Sequence, residues 1–254
     1  MTDRILLLSP HPDDIAWSLG GLTARLRAVD AELRVITFFG RSRYAPGHPT
    51  HGTVDAVPVR AAEEDAWATL VGTRIRRADL PDASLRGFDD DTEMGAVPED
   101  DIVARIAGLL DTAIEEFRPD LLLAPLAIGG HVDHAAVRRA VQPWEARESG
   151  ERPEVLWYED LPYAAQAVAV HTGHPLVVDI AAHWQAKELG VRCFPSQQPE
   201  EVLPVLRRHA AEVAGERIWA SDPTTIKRLA TLIDEPARRQ LSPAGPRAGT
   251  TTVR

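Results

Sequence analysis

Ile5-Leu6-Leu7-Leu8-Ser9-Pro10-His11-Pro12-Asp13-Asp14 joins an apolar run directly to an imidazole and two carboxylates. Apolar residues in succession, without alternation, mark a strand covered on both faces, the kind that parallel sheets bury. Residues 17–29 follow with Leu19, Leu22, Leu26 and Val29 at helical spacing, and Gly20-Gly21 leaves room for close approach to the sheet. One β-α step is therefore legible, and it delivers polar side chains to a strand exit, where open α/β sheets build their sites. Histidine and aspartate are metal ligands, and a tight turn lets the side chains of such a cluster converge on one ion.

Working outward, residues 33–39 read as a second strand, short and rich in β-branched and aromatic side chains. Residues 40–57 are aperiodic, rich in Gly, Pro, His, Thr and Asp, and long for a connection, which makes them a candidate substrate loop or lid. A helix is predicted over 58–71, with Ala61, Ala62, Asp65, Ala68 and Thr69 around its apolar face and Gly72 as its cap. A short third strand is expected near 73–78, and Asp89-Asp90-Asp91 reads as a solvated loop rather than a metal cluster. Ile102, Ile106, Leu109, Leu110, Ala113 and Phe117 form one stripe of an amphipathic helix that Pro119 stops.

Residues 120–125 repeat the design of the first strand, and Gly129-Gly130-His131-Val132-Asp133-His134 then leads into an alanine-rich helix from Ala135. Two further strands are expected at 155–158 and 176–180, and helices at 181–191 and 199–214. The reading is one domain over 1–240, with 241–254 a disordered tail. No internal repeat is visible.

Strands separated by helices imply a mostly parallel sheet with right-handed crossovers, hence a Rossmann-like, three-layer α/β/α fold. In the strand order 3-2-1-4-5 the first and fourth strands are neighbours, and the crevice at their carboxyl ends is the switch point where ligands bind. That order brings the His11 and His131 clusters together from about 120 residues apart. The pair offers more than the three ligands that a catalytic zinc needs. A carboxylate beside an activated water, and a histidine held by an aspartate to polarise a carbonyl or protonate an amine, complete a set of residue types that matches amide hydrolysis.

Composition narrows the partners. The chain has 254 residues, 44% hydrophobic and 26% charged, in the range of an ordinary globular protein. Its formal charge of -10, with no basic stripe interleaved with aromatics, argues against a nucleic acid partner and favours a neutral or cationic small substrate. Cys193 is the single cysteine, so a metal must be held by His and carboxylate. The apolar run 5–8 is cut off by Pro10, His11 and Pro12, and no run of about 18 apolar residues follows, so a cytoplasmic protein away from membranes is expected. The sequence sets no oligomeric state.

Pro10-His11-Pro12-Asp13-Asp14 with Gly20-Gly21, and later His131-Val132-Asp133-His134, resemble the signatures of the PIG-L/LmbE-like superfamily of zinc-dependent N-acetylglucosaminyl deacetylases. The resemblance extends more weakly over Arg60-x-x-Glu63 with Val71-Gly72, Leu80-Pro81-Asp82, and Lys187 followed by Phe194-Pro195-Ser196-Gln197. It implies that His11, Asp14 and His134 bind Zn2+ or another divalent transition metal. It further implies that Asp13 is the general base, that His131 assists at the carbonyl oxygen with Asp133 orienting the neighbouring imidazole, and that Arg60 and Asp82 contact sugar hydroxyls. The implied substrate is a small N-acetylated sugar or glycoside. One position departs from the pattern: Ile15 stands where the family usually has Glu.

An amidase acting on a larger acyl group or a thiol conjugate would use the same apparatus, with residues 40–57 and the C-terminal third shaping its pocket. A non-catalytic carbohydrate- or nucleotide-binding protein on this scaffold is the rival of another class, and Asp13 speaks against it, because binding alone requires no base. No G-x-G-x-x-G follows the first strand and no G-x-S-x-G occurs, so a dinucleotide-dependent dehydrogenase and a serine hydrolase have no support. Tyr158-Glu159-Asp160-Leu161-Pro162-Tyr163 reads either as a pocket wall or as a packed turn. His48 and His51 are the remaining histidines expected near substrate; His171, His174, His183 and His209 read as surface or loop residues.

Overall fold

Strand β1 (Arg4–Ser9) is buried from Ile5 onward in the computed structural model, which describes residues 3–89, 92–147, 153–166 and 173–234. It pairs in parallel with β2 (Glu32–Thr37) on one side and with β4 (Leu121–Pro125) on the other. Beyond them lie β3 (Arg74–Arg77) at one edge and β5 (Glu154–Tyr158) toward the other. These five strands are parallel and stand in the expected order, 3-2-1-4-5. Two more complete the sheet: β6 (His174–Val178) forms the far edge, and β7 (Glu216–Ala220) inserts antiparallel between β5 and β6. Sequence reading missed β7, whose five residues Glu-Arg-Ile-Trp-Ala carry too weak an alternation to stand out from a loop.

Because successive strand side chains point to opposite faces, β1 feeds two cores. Ile5 and Leu7 pack with Leu121, Leu123 and Leu156 beneath helix α1 (Asp14–Ala28), whereas Leu6 and Leu8 pack with Leu122, Ala124 and Trp157 on the other side. The second side is covered by α3 (Asp100–Phe117) through Ile102, Ile106, Leu110 and Phe117, and by α4 (Val132–Glu145) through Ala136, Val137, Ala140 and Val141. The first side also receives Trp67 of α2 (Ala56–Val71), Val191 of α5 (Trp184–Val191), Leu203 and Leu206 of α6 (Pro199–Val213), and Leu229, Leu232 and Ile233 of α7 (Pro223–Asp234). The result is the expected three-layer α/β/α arrangement. Helix α7 was not anticipated, and the predicted tail, 241–254, lies outside the described residues. No described helix is long and apolar enough to cross a membrane.

Two local expectations need correction. The glycine pair does permit close approach, but to side chains beside the sheet: a Cβ on Gly21 would sit 2.5 Å from Ile180, just past β6, and one on Gly20 2.9 Å from the Lys187 side chain of α5. Helix α1 is also broken there, at Leu19, and the N–H groups of Gly21 and Leu22 donate to the two oxygens of Glu216 on β7, which Lys187 Nζ also reaches at 2.7 Å. A buried carboxylate thus answers the free N–H groups of a restarted helix.

Helix α2 turns inward a different face from the one expected. Its buried face is Ala56, Arg60, Glu63, Glu64 and Trp67, while Ala62, Asp65 and Thr69 of the predicted apolar face are exposed. Charged residues are buried because each has a partner: Arg60 meets Asp13, Glu63 accepts the Ser196 N–H and hydroxyl, and Glu64 meets Thr37 and Arg77. Gly72 does end α2 in the left-handed region, at φ +66°, as expected.

Candidate active site

The exits of β1 and β4 are adjacent, so the chain segments that leave them meet. On the β1 side, the Asp14 carboxylate turns back to accept the His11 backbone N–H at 2.6 Å, which closes the turn and presents His11, Asp13 and Asp14 together. On the β4 side, His131 caps α4 by accepting the Asp133 N–H on Nδ1 at 3.2 Å. The helix therefore begins at Val132, earlier than predicted, and holds Asp133 and His134 in its first turn. The rings of His11, His131 and His134 lie with their centroids 5.1 to 5.3 Å apart.

Each of two imidazoles is gripped from behind by a carboxylate. His11 Nε2 lies 2.8 Å from Asp133 Oδ2, and Asp133 also accepts the Ala83 N–H at 3.0 Å and Arg86 Nη1 at 2.7 Å. His134 Nδ1 lies 2.6 Å from Asp160 Oδ1, whose other oxygen accepts the Ile128 N–H at 3.0 Å. These bonds place the ring proton of a neutral His11 on Nε2 and of a neutral His134 on Nδ1, turning the lone pairs of His11 Nδ1 and His134 Nε2 inward. Both face Asp14, at 3.3 Å from its Oδ2 and 3.4 Å from its Oδ1.

His134 Nε2 is buried and has no hydrogen-bond partner among the described residues. An orphaned buried polar atom costs about 1–3 kcal/mol unless something answers it. One ligand atom from each of His11, Asp14 and His134 lies within 4.8 Å of the others, and the carboxylate–histidine pairs behind them have the form that orients metal-binding imidazoles. The residues present therefore fit a metal ion. His11, His131 and Asp133 also lie within reach of one another. In that set Asp133 is already answered by Arg86, and His131 Nδ1 is already an acceptor.

The electrostatics follow from the same contacts. Burial pushes the Asp14 carboxyl up, but His134 and His11 more than offset it and hold it down at about 2. Asp133, likewise opposed by burial, is held well below the carboxylate range by its bond to His11 and by His131 and Arg86. Burial lowers the His11 and His134 imidazoles, yet the surrounding aspartates raise both. His131 is lowered, by burial first and by the two other imidazoles, against the pull of Glu93. Asp13 is raised, by burial above all and by Asp14, while Arg60 and His11 pull it down.

The structure brings His11, Asp13, Asp14, His131, Asp133 and His134 together and rearranges some of their contacts. Asp133 does orient an imidazole, but that of His11 rather than of its near neighbour His131, which receives only the Asp133 backbone N–H. Arg60 Nη2 bonds Asp13 Oδ1 at 2.7 Å, and its Nη1 reaches Ser42 Oγ and the Tyr44 carbonyl, tying the 40–57 loop to the site. Asp82 is buried, accepts the Ser84 hydroxyl, and precedes the Ala83 N–H that Asp133 holds. His48 and His51 bond within their own loop, through Thr50 and the Ala45 N–H. His209 is no surface residue: it is buried on α6, 3.2 Å from Glu159. His171, and Asp90 and Asp91 of the acidic run, lie outside the described residues.

The 158–163 stretch divides between its two readings. Tyr158 is a packed anchor whose hydroxyl donates to the Leu8 carbonyl, whereas Asp160 grips His134 and the Tyr163 ring stands against His131 and His134. Arg86 and Glu93 are site residues that the sequence did not single out, and Asp160 was quoted only within its stretch, with no role of its own. Asp160 was within reach, because it leaves β5, the neighbour of β4, and the switch-point logic applied to the first two clusters covers it as well. Arg86 and Glu93 sit in the irregular segment before α3, where no periodicity marks them. Ile15, at the departing position, is in the first turn of α1 and fully buried in the core.

Fold and cluster together define an α/β protein with a buried His/Asp cluster, of a kind that fits a metal ion, at the switch point of its sheet. The model of the GlcNAc-PI de-N-acetylase family, PIG-L, matches residues 6–144, and the chain belongs to that family. It is 37% identical over 232 residues to 2'-N-acetylparomamine deacetylase from Streptomyces fradiae, an alignment covering 84% of this chain and 80% of that protein. The crystal structure of the A40926 pseudoaglycone deacetylase superposes with a TM-score of 0.72 at 25% identity, covering 87% of this chain and 97% of that one. The zinc-inhibited form of teicoplanin deacetylase gives 0.69 at 27%, covering 85% and 97%. The chain is a deacetylase of this family.

Proposed function

We propose that this deacetylase is zinc-dependent and removes the N-acetyl group from an amino sugar or a small sugar-bearing molecule. The observation that carries the reading is the inward pair of imidazole lone pairs, one of them orphaned, facing Asp14 with Asp13 alongside. The deacetylase names of the relatives support an acetyl group over a bulkier acyl. His11 Nδ1, Asp14 and His134 Nε2 would hold the ion, which when bound would polarise a carbonyl and acidify a water.

The chain's own groups do the rest. Asp13, anchored through Oδ1 by Arg60, takes the proton of the attacking water. His131, whose Nδ1 is an acceptor, keeps its proton on Nε2 and donates a hydrogen bond to the acetyl oxygen as charge builds there, while Asp13 passes the proton it took from water to the departing nitrogen. The C–N bond breaks, and acetate and a free amine leave.

The test is acetate release from a panel of N-acetylated amino sugars, by metal-loaded protein and by protein dialysed against a chelator. Turnover that disappears with the metal and returns with zinc is expected. Folded, zinc-loaded protein that releases acetate from no amino sugar overturns the reading. Zinc affinity carries a second prediction: Asp160→Asn removes the charge behind His134 and is expected to weaken binding about 10-fold to 100-fold, measured by competition with a chromogenic chelator. An unchanged affinity would mean that Asp160 only packs.

A further inference from the structure

Among the described residues, most carboxylates around the site are answered by cations; Asp82 is answered by the Ser84 hydroxyl instead, and Glu93 stands apart. Asp13 meets Arg60 at 2.7 Å, Asp133 meets Arg86 at 2.7 Å, Glu99 meets Arg86 at 3.0 Å, and Asp14 and Asp160 meet imidazoles. Glu93 meets His131, Oε2 to Nε2, at a loose 3.5 Å. Among the described residues no lysine or arginine forms an ion pair with Glu93. Its side chain is 22% exposed, so the carboxylate is partly withdrawn from water yet open to a ligand. A carboxylate in that position gains most from a cationic partner.

Its placement is fixed by the backbone. Glu93 O accepts the Val132 N–H at 2.9 Å, the Gly95 N–H donates to Gly130 O at 2.7 Å, and Met94 bridges to His131. Residues 93–95 are thus laid across the start of α4 as a short strap, and the Glu93 side chain is delivered to the atom of His131 that would face the scissile amide. We propose that Glu93 is an acidic subsite for a substrate ammonium, so that the preferred substrate carries a second, free amine close to the N-acetyl group that is removed. The proposal rests on the deacetylase reading and adds to it a charge preference. The chain's net charge of -10 favours the approach of such a cation.

Matched disaccharides isolate the charge. N,N'-diacetylchitobiose is neutral, and each mono-N-acetylchitobiose differs from it by one free amine on the same skeleton. The wild type is expected to favour the better monoacetyl isomer over the diacetyl sugar by about tenfold in kcat/KM, the scale of one charge-assisted hydrogen bond. Glu93→Gln brings that ratio to about one, Glu93→Lys takes it below one, and Glu93→Asp restores part of it. A merely structural role would move both rates together and leave the ratio where it was. A wild-type ratio of one, or a ratio unchanged in Glu93→Gln, overturns the proposal.

Calorimetric titration with fully deacetylated chitobiose, a diamine, provides an arm that needs no turnover. Affinity is expected to fall about tenfold in Glu93→Gln and to weaken with added salt, and equal affinity in the two proteins overturns the subsite. If the zinc-loaded wild type released acetate from none of these sugars, the titration alone would decide on Glu93, and the deacetylase reading would be judged on the wider panel of N-acetylated amino sugars.

Discussion

Asp13→Asn protein binds zinc as the wild type does and turns over at least about a hundredfold more slowly, the lower end of what a positioned general base contributes. The amide keeps the shape of the carboxylate and still offers Arg60 Nη2 an oxygen, so the 2.7 Å contact and the fold survive while the proton acceptor is lost. Asp13→Ala loses as much rate and pays an added cost, because Arg60 is then left buried and unpaired. Metal content, kcat at saturating substrate and thermal midpoint, measured side by side on both variants, separate the roles. An Asp13→Asn enzyme with a tenth or more of wild-type kcat would remove Asp13 from the base position.

His134→Ala acts on the other half of the site. It deletes the orphaned Nε2 and also strands Asp160, whose Oδ1 has His134 Nδ1 as its close partner at 2.6 Å. Zinc stoichiometry after dialysis is expected to fall from near one to near zero, with loss of turnover. Breaking a buried pair of this kind costs on the order of 3–5 kcal/mol of stability. His134→Gln fills the same space and separates the two effects: stability recovers in part and zinc does not. Full stoichiometry in both variants would mean that the ligands are wrong and that the neighbouring set of His11, His131 and Asp133 holds the ion.

The central sheet was legible because its strands are hydrophobic throughout. A run such as 5–8 or 121–124 has few alternatives to a strand buried on both faces, and helices alternating with the strands implied a parallel sheet, for which 3-2-1-4-5 is one doubly wound order and the one the structure adopts. The meeting of His11 with His134 came from that order alone. What escaped was whatever does not repeat. The β7 strand is short and half polar, Arg86 and Glu93 lie in irregular chain, and the inner face of α2 is charged, so periodicity pointed to the wrong side of that helix. Asp133 shows the remaining gap: its spacing from His131 is visible in the sequence, but its bond to His11 depends on ring orientation, which only the assembled site determines.

The break in α1 has a consequence for how the enzyme can be divided. The residues that match the family, 6–144, contain every candidate ligand, yet the helix that begins with Asp14 is moored partway along by Glu216 and Lys187, and His134 is braced by Asp160. All three come from beyond that boundary. The motif-bearing half is therefore not a portable catalytic unit: cut away from its C-terminal half, it would keep its ligands in sequence while losing the struts that aim them. Domain shuffling and minimal-enzyme design in this family have to carry the latter half of the chain along, even though it supplies no ligand of its own.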